Sequence, residues 1–133
     1  MGKNVEMIKM VKMVRPDLIL ILGADALSLF DYFGVDELHG LNRNACIERI
    51  KAGGTYIDGM CNVIPEGSGK VAYYLFINKK ALSPIKVKNY ALIFHEATHY
   101  CFSKYWNDLQ EKEEEIITEA ENLGIDIYRT IGL

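Results

Sequence analysis

The stretch Val71-Ala72-Tyr73-Tyr74-Leu75-Phe76-Ile77-Asn78 constrains this chain more than any other. Aromatic and β-branched side chains crowd it, and such residues fit a pleated, half-buried surface. It reads as a strand. A strand needs a partner, and one reads just upstream, in Thr55-Tyr56-Ile57-Asp58-Gly59-Met60. Between them, Pro65-Glu66-Gly67-Ser68-Gly69 reads as a turn. A β-hairpin is expected, with one face packed on helices.

The helical signals follow directly. Ser83-Pro84 pairs a capping residue with proline at a first helical position, and Asn89 is an alternative start. That helix is expected to run to about Trp106, where Asn107-Asp108 breaks it. Asp108 followed three residues later by Glu111 looks like a capping box. A last helix is then expected through Ile116, Ile117, Ala120, Leu123 and Ile127. Strands followed by helices give an α+β class, a small sheet or hairpin packed against two helices.

The first half is less legible. Val5, Ile8 and Val11 make a helical stripe, which predicts a short amphipathic helix over residues 4–14, interrupted at Arg15-Pro16-Asp17. Residues 18–33 are so uniformly apolar that a buried strand and a buried helix read alike, up to Gly34. Residues 36–52 mix polarities and read as helical in their second half, with Gly53-Gly54 as the stop. No repeat, low-complexity tract or long linker divides the chain, so residues 1–133 are read as one domain.

Composition removes several function classes. The net charge is -3, which lacks the basic footprint of a nucleic-acid binder. Three cysteines, Cys46, Cys61 and Cys101, form no CxxC pair and no even set. They read as free thiols in a reducing compartment. The apolar run at residues 18–22 falls far short of the roughly 20 residues that span a bilayer. No secretory signal is legible, and Glu6 stands where a myristoylation site wants Ser or Thr. A cytoplasmic protein with no membrane partner is expected.

One motif carries chemistry. His95-Glu96-Ala97-Thr98-His99 lies inside the first of the two long helices. Residues i and i+4 share a helix face, so both imidazoles can address one ion. Neutral imidazole is a zinc ligand. Glu96 sits beside the pair, placed to serve as general base toward a zinc-activated water. His-Glu-x-x-His arises by chance in a chain this long roughly once in a few hundred cases, so accident is a poor explanation. A core histidine is the ordinary reading of one His on an apolar helix. It fits badly when two of three histidines stand four apart around a glutamate.

A catalytic zinc commonly has three protein ligands and an open position. No histidine follows His99, and His39 lies far upstream. The acidic run of the last helix is the natural source: Glu111, Glu113, Glu114, Glu115, Glu119 and Glu121. An antiparallel helical hairpin would bring residues 113–119 level with the histidines. Glu113 projects onto the apolar face, Glu114 lies at its edge and Glu115 points away. Most of these six are expected to be a solvated face that favours the helix N-terminus.

His95-Glu96-Ala97-Thr98-His99 followed by Glu114-Glu115-Ile116-Ile117-Thr118 resembles the small gluzincin-type zinc peptidases of bacteria and phages. The resemblance covers about the last 55 residues and the strand before them. It implies a compact zincin-like domain, with a small sheet over the active-site helix. It also implies zinc held by His95, His99 and a glutamate of the next helix, Glu114 ahead of Glu113. Glu119 would match a longer spacing. Glu96 would be the catalytic base and a peptide or protein the substrate, held by a sheet-edge strand, for which residues 71–78 are the candidate. Tyr73 and Tyr74 could line such a cleft and Tyr100 could face the oxyanion, but packing is the plainer role for all three. The competing function is a non-catalytic zincin-fold binding or structural module, in a phage particle or a regulatory complex, that retains the metal site. Oligomeric state is not written in the sequence.

Overall fold

The computed structural model describes residues 7–65, 72–109 and 111–133. Two strands open it, β1 (Ile8–Arg15) and β2 (Leu18–Gly23), antiparallel across a tight turn at Pro16-Asp17. A short helix α1 (Leu27–Phe33) follows. Then come a two-stranded ribbon of β3 (Glu37–Leu38) and β4 (Leu41–Asn42) and helix α2 (Arg43–Lys51). Strands β5 (Gly59–Val63) and β6 (Tyr73–Asn78) lead into two long helices, α3 (Lys86–Lys104) and α4 (Glu113–Ile131).

The main sheet has the order β1-β2-β6-β5. β2 and β6 run parallel at its centre, and β1 and β5 add antiparallel at the two edges. The class is α+β. One face of the sheet packs Leu18, Leu20, Leu22, Leu75 and Ile77 against Ile93, Ala97 and Cys101 of α3 and Ile116, Ala120, Leu123 and Ile127 of α4. The other face packs Ile21, Tyr74 and Phe76 against Leu29 and Phe30 of α1 and Cys46 of α2. A sheet covered on both faces needs strands apolar on both faces. That is why residues 18–23 show no alternation: β2 is a central strand, and the ambiguous run splits into that strand and α1.

The helix expected over residues 4–14 is corrected. From Ile8 to Arg15 the chain is strand β1, and residues 1–6 lie outside the described part. Met10 and Val14 face the core while Val11 and Met13 face out, a period of two. Register shifts between Ile8 and Met10 and between Met13 and Arg15 break that period. The shift beside Ile8 lets Ile8 pack on the opposite side of the sheet from Met10, so the apolar residues do not alternate strictly. The upstream strand also moves. Residues 55–58 form a loop, with Tyr56 at φ 69, and pairing begins at Gly59. The turn residues 66–69 lie outside the described part.

The helix boundaries shift by a few residues. α3 begins at Lys86, and buried Asn89 braces its entry by bonding both the N–H and the carbonyl of Ser83 at 2.7 Å. A single 3-10 turn at Trp106–Asp108 reverses the chain. The capping box at Asp108 does not form. α4 starts at Glu113, and its first turn carries Glu113, Glu114 and Glu115 at the positive end of the helix dipole. The α2 expectation and its stop hold. Among the described residues, no helix is long and apolar enough to cross a membrane.

Candidate metal centre

Helix α3 lies across β5 and β6, and its exposed flank beside β5 carries His95 and His99. Their Nε2 atoms are 3.1 Å apart and the rings meet edge to face. At that distance two neutral rings share either one proton or one cation. An ion about 2.05 Å from both nitrogens would see them at an angle of about 100°, close to tetrahedral. The separation of the two nitrogens therefore suits a shared zinc ion. Burial, and then the neighbouring His95, hold the His99 pKa below the ordinary imidazole value, which keeps that ring neutral and able to ligate.

Glu96 stands a third of a turn away, facing the sheet, and is only 5% exposed. Burial pushes its carboxyl up to about 7. Space for it comes from Gly59. A Cβ built on Gly59 would lie 2.9 Å from Glu96 Cγ, 3.0 Å from Oε2 and 3.1 Å from the Phe76 carbonyl. In the sequence Gly59 reads as an ordinary strand residue. An isolated glycine in a strand is itself a signal of close approach, and here the approaching group is the candidate base.

These residues line a cleft of about 500 Å³. α3 contributes His95, Glu96, His99 and Ser103. β5 contributes Gly59 through Asn62, and Leu41 and Ile57 complete the lining. Cys61 faces Glu96, and burial, then that carboxylate, push its thiol up to about 12, so it stays protonated. Cys46 and Cys101 are buried free thiols, as expected of core cysteines.

The expected third ligand is not at the pair. Gly124 lies against Phe94, and Tyr128 lies against Tyr90, which sets the antiparallel register of α3 and α4. That register puts Glu119 level with His99 and Glu114 level with Lys104. α4 also packs on the face of α3 that carries Ala97 and Cys101. At about 100° per residue, that face is well over a quarter-turn from the histidines. Glu113, Glu114 and Glu115 are exposed on the first turn of α4, and none lines the cleft. Glu119 accepts a 2.5 Å hydrogen bond from Tyr105 and pairs with Lys104 at 3.5 Å. Among the described residues, no group of three His, Cys, Asp or Glu is gathered for a metal.

The remaining candidates have structural partners. His39 donates from Nε2 to the Val63 carbonyl at 2.9 Å. Tyr100 is buried, packs edge-on against Tyr73 and donates to Asp17 at 2.6 Å. Tyr74 is buried in the opposite core. The strand proposed to hold substrate is also reassigned. β6 is paired on both sides, by β2 and β5, so its backbone is spent. β5 is the edge strand, and it is β5 that borders the cleft.

No family model, no curated protein and no solved structure matches the chain.

Proposed function

We propose that this chain is a zinc-dependent peptidase of the gluzincin type, with His95 and His99 as ligands and Glu96 as general base. The observation that carries the reading is the convergence of the two Nε2 atoms at 3.1 Å, beside a buried carboxyl, in an open cleft bordered by an edge strand. When bound, zinc supplies Lewis acidity toward a water and toward a substrate carbonyl.

The chain's own residues supply the rest. Glu96, raised toward neutrality by burial, accepts a proton from water and returns it to the leaving amine. A purely structural site has no use for that base. The outer edge of β5 offers backbone groups to an extended peptide, a common way of holding one. Leu41 and Ile57 add apolar surface to the cleft lining. A glutamate of α4 as third ligand, Glu114 in the sequence reading, requires α4 to turn from its present packing. The three free thiols suit the cytoplasm.

Metal analysis of purified protein, with His95→Ala and Glu96→Gln beside wild type, tests this. Near-stoichiometric zinc in wild type and its loss in His95→Ala are expected. Zinc-dependent cleavage of a denatured protein should vanish in Glu96→Gln while zinc remains. Cleavage persisting in Glu96→Gln would remove the role given to that residue. Zinc without any cleavage would favour the non-catalytic module.

A further inference from the structure

The outer edge of β5 is open over part of its length and closed over the rest. β5 and β6 pair antiparallel, with Gly59 opposite Ile77 and Val63 opposite Tyr73. The Asn78 N–H donates to the Asp58 carbonyl, and the Ile64 N–H donates to the Ala72 carbonyl. In an antiparallel ladder the bonded pairs alternate. Residues 58, 60, 62 and 64 therefore turn their backbone groups inward to β6, while Gly59, Cys61 and Val63 turn theirs outward.

The three outward residues are not equivalent. At Val63 both groups are occupied. Its N–H donates to the Asn62 side-chain oxygen at 2.8 Å, and its carbonyl accepts from His39 Nε2 at 2.9 Å. His39 is held there by the tip of the β3–β4 ribbon, where His39 at φ 49 and Gly40 at φ 82 make the reversal. Its ring stacks on Tyr74, and the ribbon is tied at its base by the Asn42 N–H donating to the Tyr56 hydroxyl at 3.0 Å. At Gly59 and Cys61, among the described residues, no such partner stands on the outer side. Those two residues border the cleft that holds His95, Glu96 and His99.

We infer that the β3–β4 ribbon is a stop built onto the substrate edge. Backbone pairing is confined to Gly59 and Cys61, with His39 and Asn62 closing the edge at Val63, so the site takes a short extended peptide segment. The inference rests on the peptidase reading. Two outward residues offer four hydrogen bonds to about three peptide residues, a length of about 10 Å. A peptide continuing toward Val63 must leave the sheet edge there. Specificity then favours a chain end or a strained loop over a long strand.

The test uses zinc-loaded Glu96→Gln protein, which holds peptide without cutting it. The probes are blocked peptides of alternating alanine and valine, from about three to about eight residues long. Amide hydrogen exchange is read at Gly59, Cys61 and Val63, and affinity is read against length. Protection is expected at Gly59 and Cys61 with Val63 unchanged, and affinity should level off once about three residues are paired. Adding His39→Gly, which suits the left-handed backbone, and Asn62→Ala should extend pairing to Val63. Longer peptides should then gain roughly five-fold in affinity per added hydrogen bond. Peptide-induced protection at Val63 without those changes would overturn the stop. So would a length dependence that the two changes leave untouched. Absence of protection at Gly59 and Cys61 overturns it as well. Zinc-dependent cleavage of a denatured protein by wild type, run alongside, shows whether the peptidase reading falls with it.

Discussion

Gly59→Ala is the most informative single change, because it touches the candidate base and neither histidine. The added methyl would sit 2.9 Å from Glu96 Cγ and 3.0 Å from its Oε2. Real Cβ atoms do not approach so closely. Retreat is blocked on the strand side by the Phe76 carbonyl at 3.1 Å, which belongs to the β6 ladder. Glu96 must therefore move. Overpacking of this kind costs about 1–3 kcal/mol. For a chain of this size each kcal/mol lowers the melting temperature by roughly 3–5 °C. A misplacement near 1 Å can cost about 10²-fold in rate. The expected outcome is a lower melting temperature by calorimetry, zinc affinity within about two-fold of wild type by titration, and kcat down by about 10–10²-fold. A Gly59→Ala protein that melts with wild type and keeps its kcat would refute the claim that this glycine makes room for Glu96. Loss of zinc affinity would refute the claim that the ligands stand apart from that contact.

Three further outcomes follow from the geometry. Burial raises the Glu96 carboxyl from 4.5 to about 7, so the folded, metal-free protein binds that proton more tightly than the unfolded chain does. Its destabilising effect is absent below about pH 4.5, grows through pH 4.5–7 and is constant above, reaching about 3 kcal/mol at most. Glu96→Gln should therefore stabilise the chelator-treated protein at pH 8 and not at pH 4; equal differences at both pH values would exclude a charge-burial cost. Glu114→Ala should leave zinc affinity within about two-fold, because the side chain is exposed and a turn and a half from the pair; a loss of ten-fold or more would mean that α4 turns to present it. Tyr74→Phe should raise stability by about 1 kcal/mol in denaturant melts, because the buried hydroxyl has no hydrogen-bond partner among the described residues; a loss of stability would reveal a bound partner.

The candidate site divides into what was local and what was not. His95, Glu96 and His99 lie within five residues on one helix, so helical geometry alone fixes how they stand to one another. The α3–α4 hairpin was legible for the same reason: each long helix carries its own apolar stripe, and Asn107-Asp108 separates them. The pairing of β5 with β6 was legible because the two segments flank one stretch of turn-forming residues in the sequence, Pro65-Glu66-Gly67-Ser68-Gly69. Strand β1 was not, since its apolar residues do not alternate strictly across the register shift beside Ile8. The split of residues 18–33 was not either, because a strand buried on both faces loses the alternation that identifies strands.

What only the tertiary structure decided is everything that joins distant parts of the chain. Which strand is the edge depends on β2 lying beside β6 instead of beside β5, and 49 residues of sequence separate Gly23 from Tyr73. Which glutamate stands near the histidines depends on the rotation of α4 about its own axis. Burial of Ile116, Ala120, Leu123 and Ile127 fixes that rotation, and it turns Glu114 toward solvent. The room for Glu96 depends on a missing side chain at Gly59, on another element altogether. By itself the sequence determined how His95, Glu96 and His99 stand to one another, because that needs only one helix. Their surroundings are contacts between elements, and those follow from packing and not from spacing along the chain.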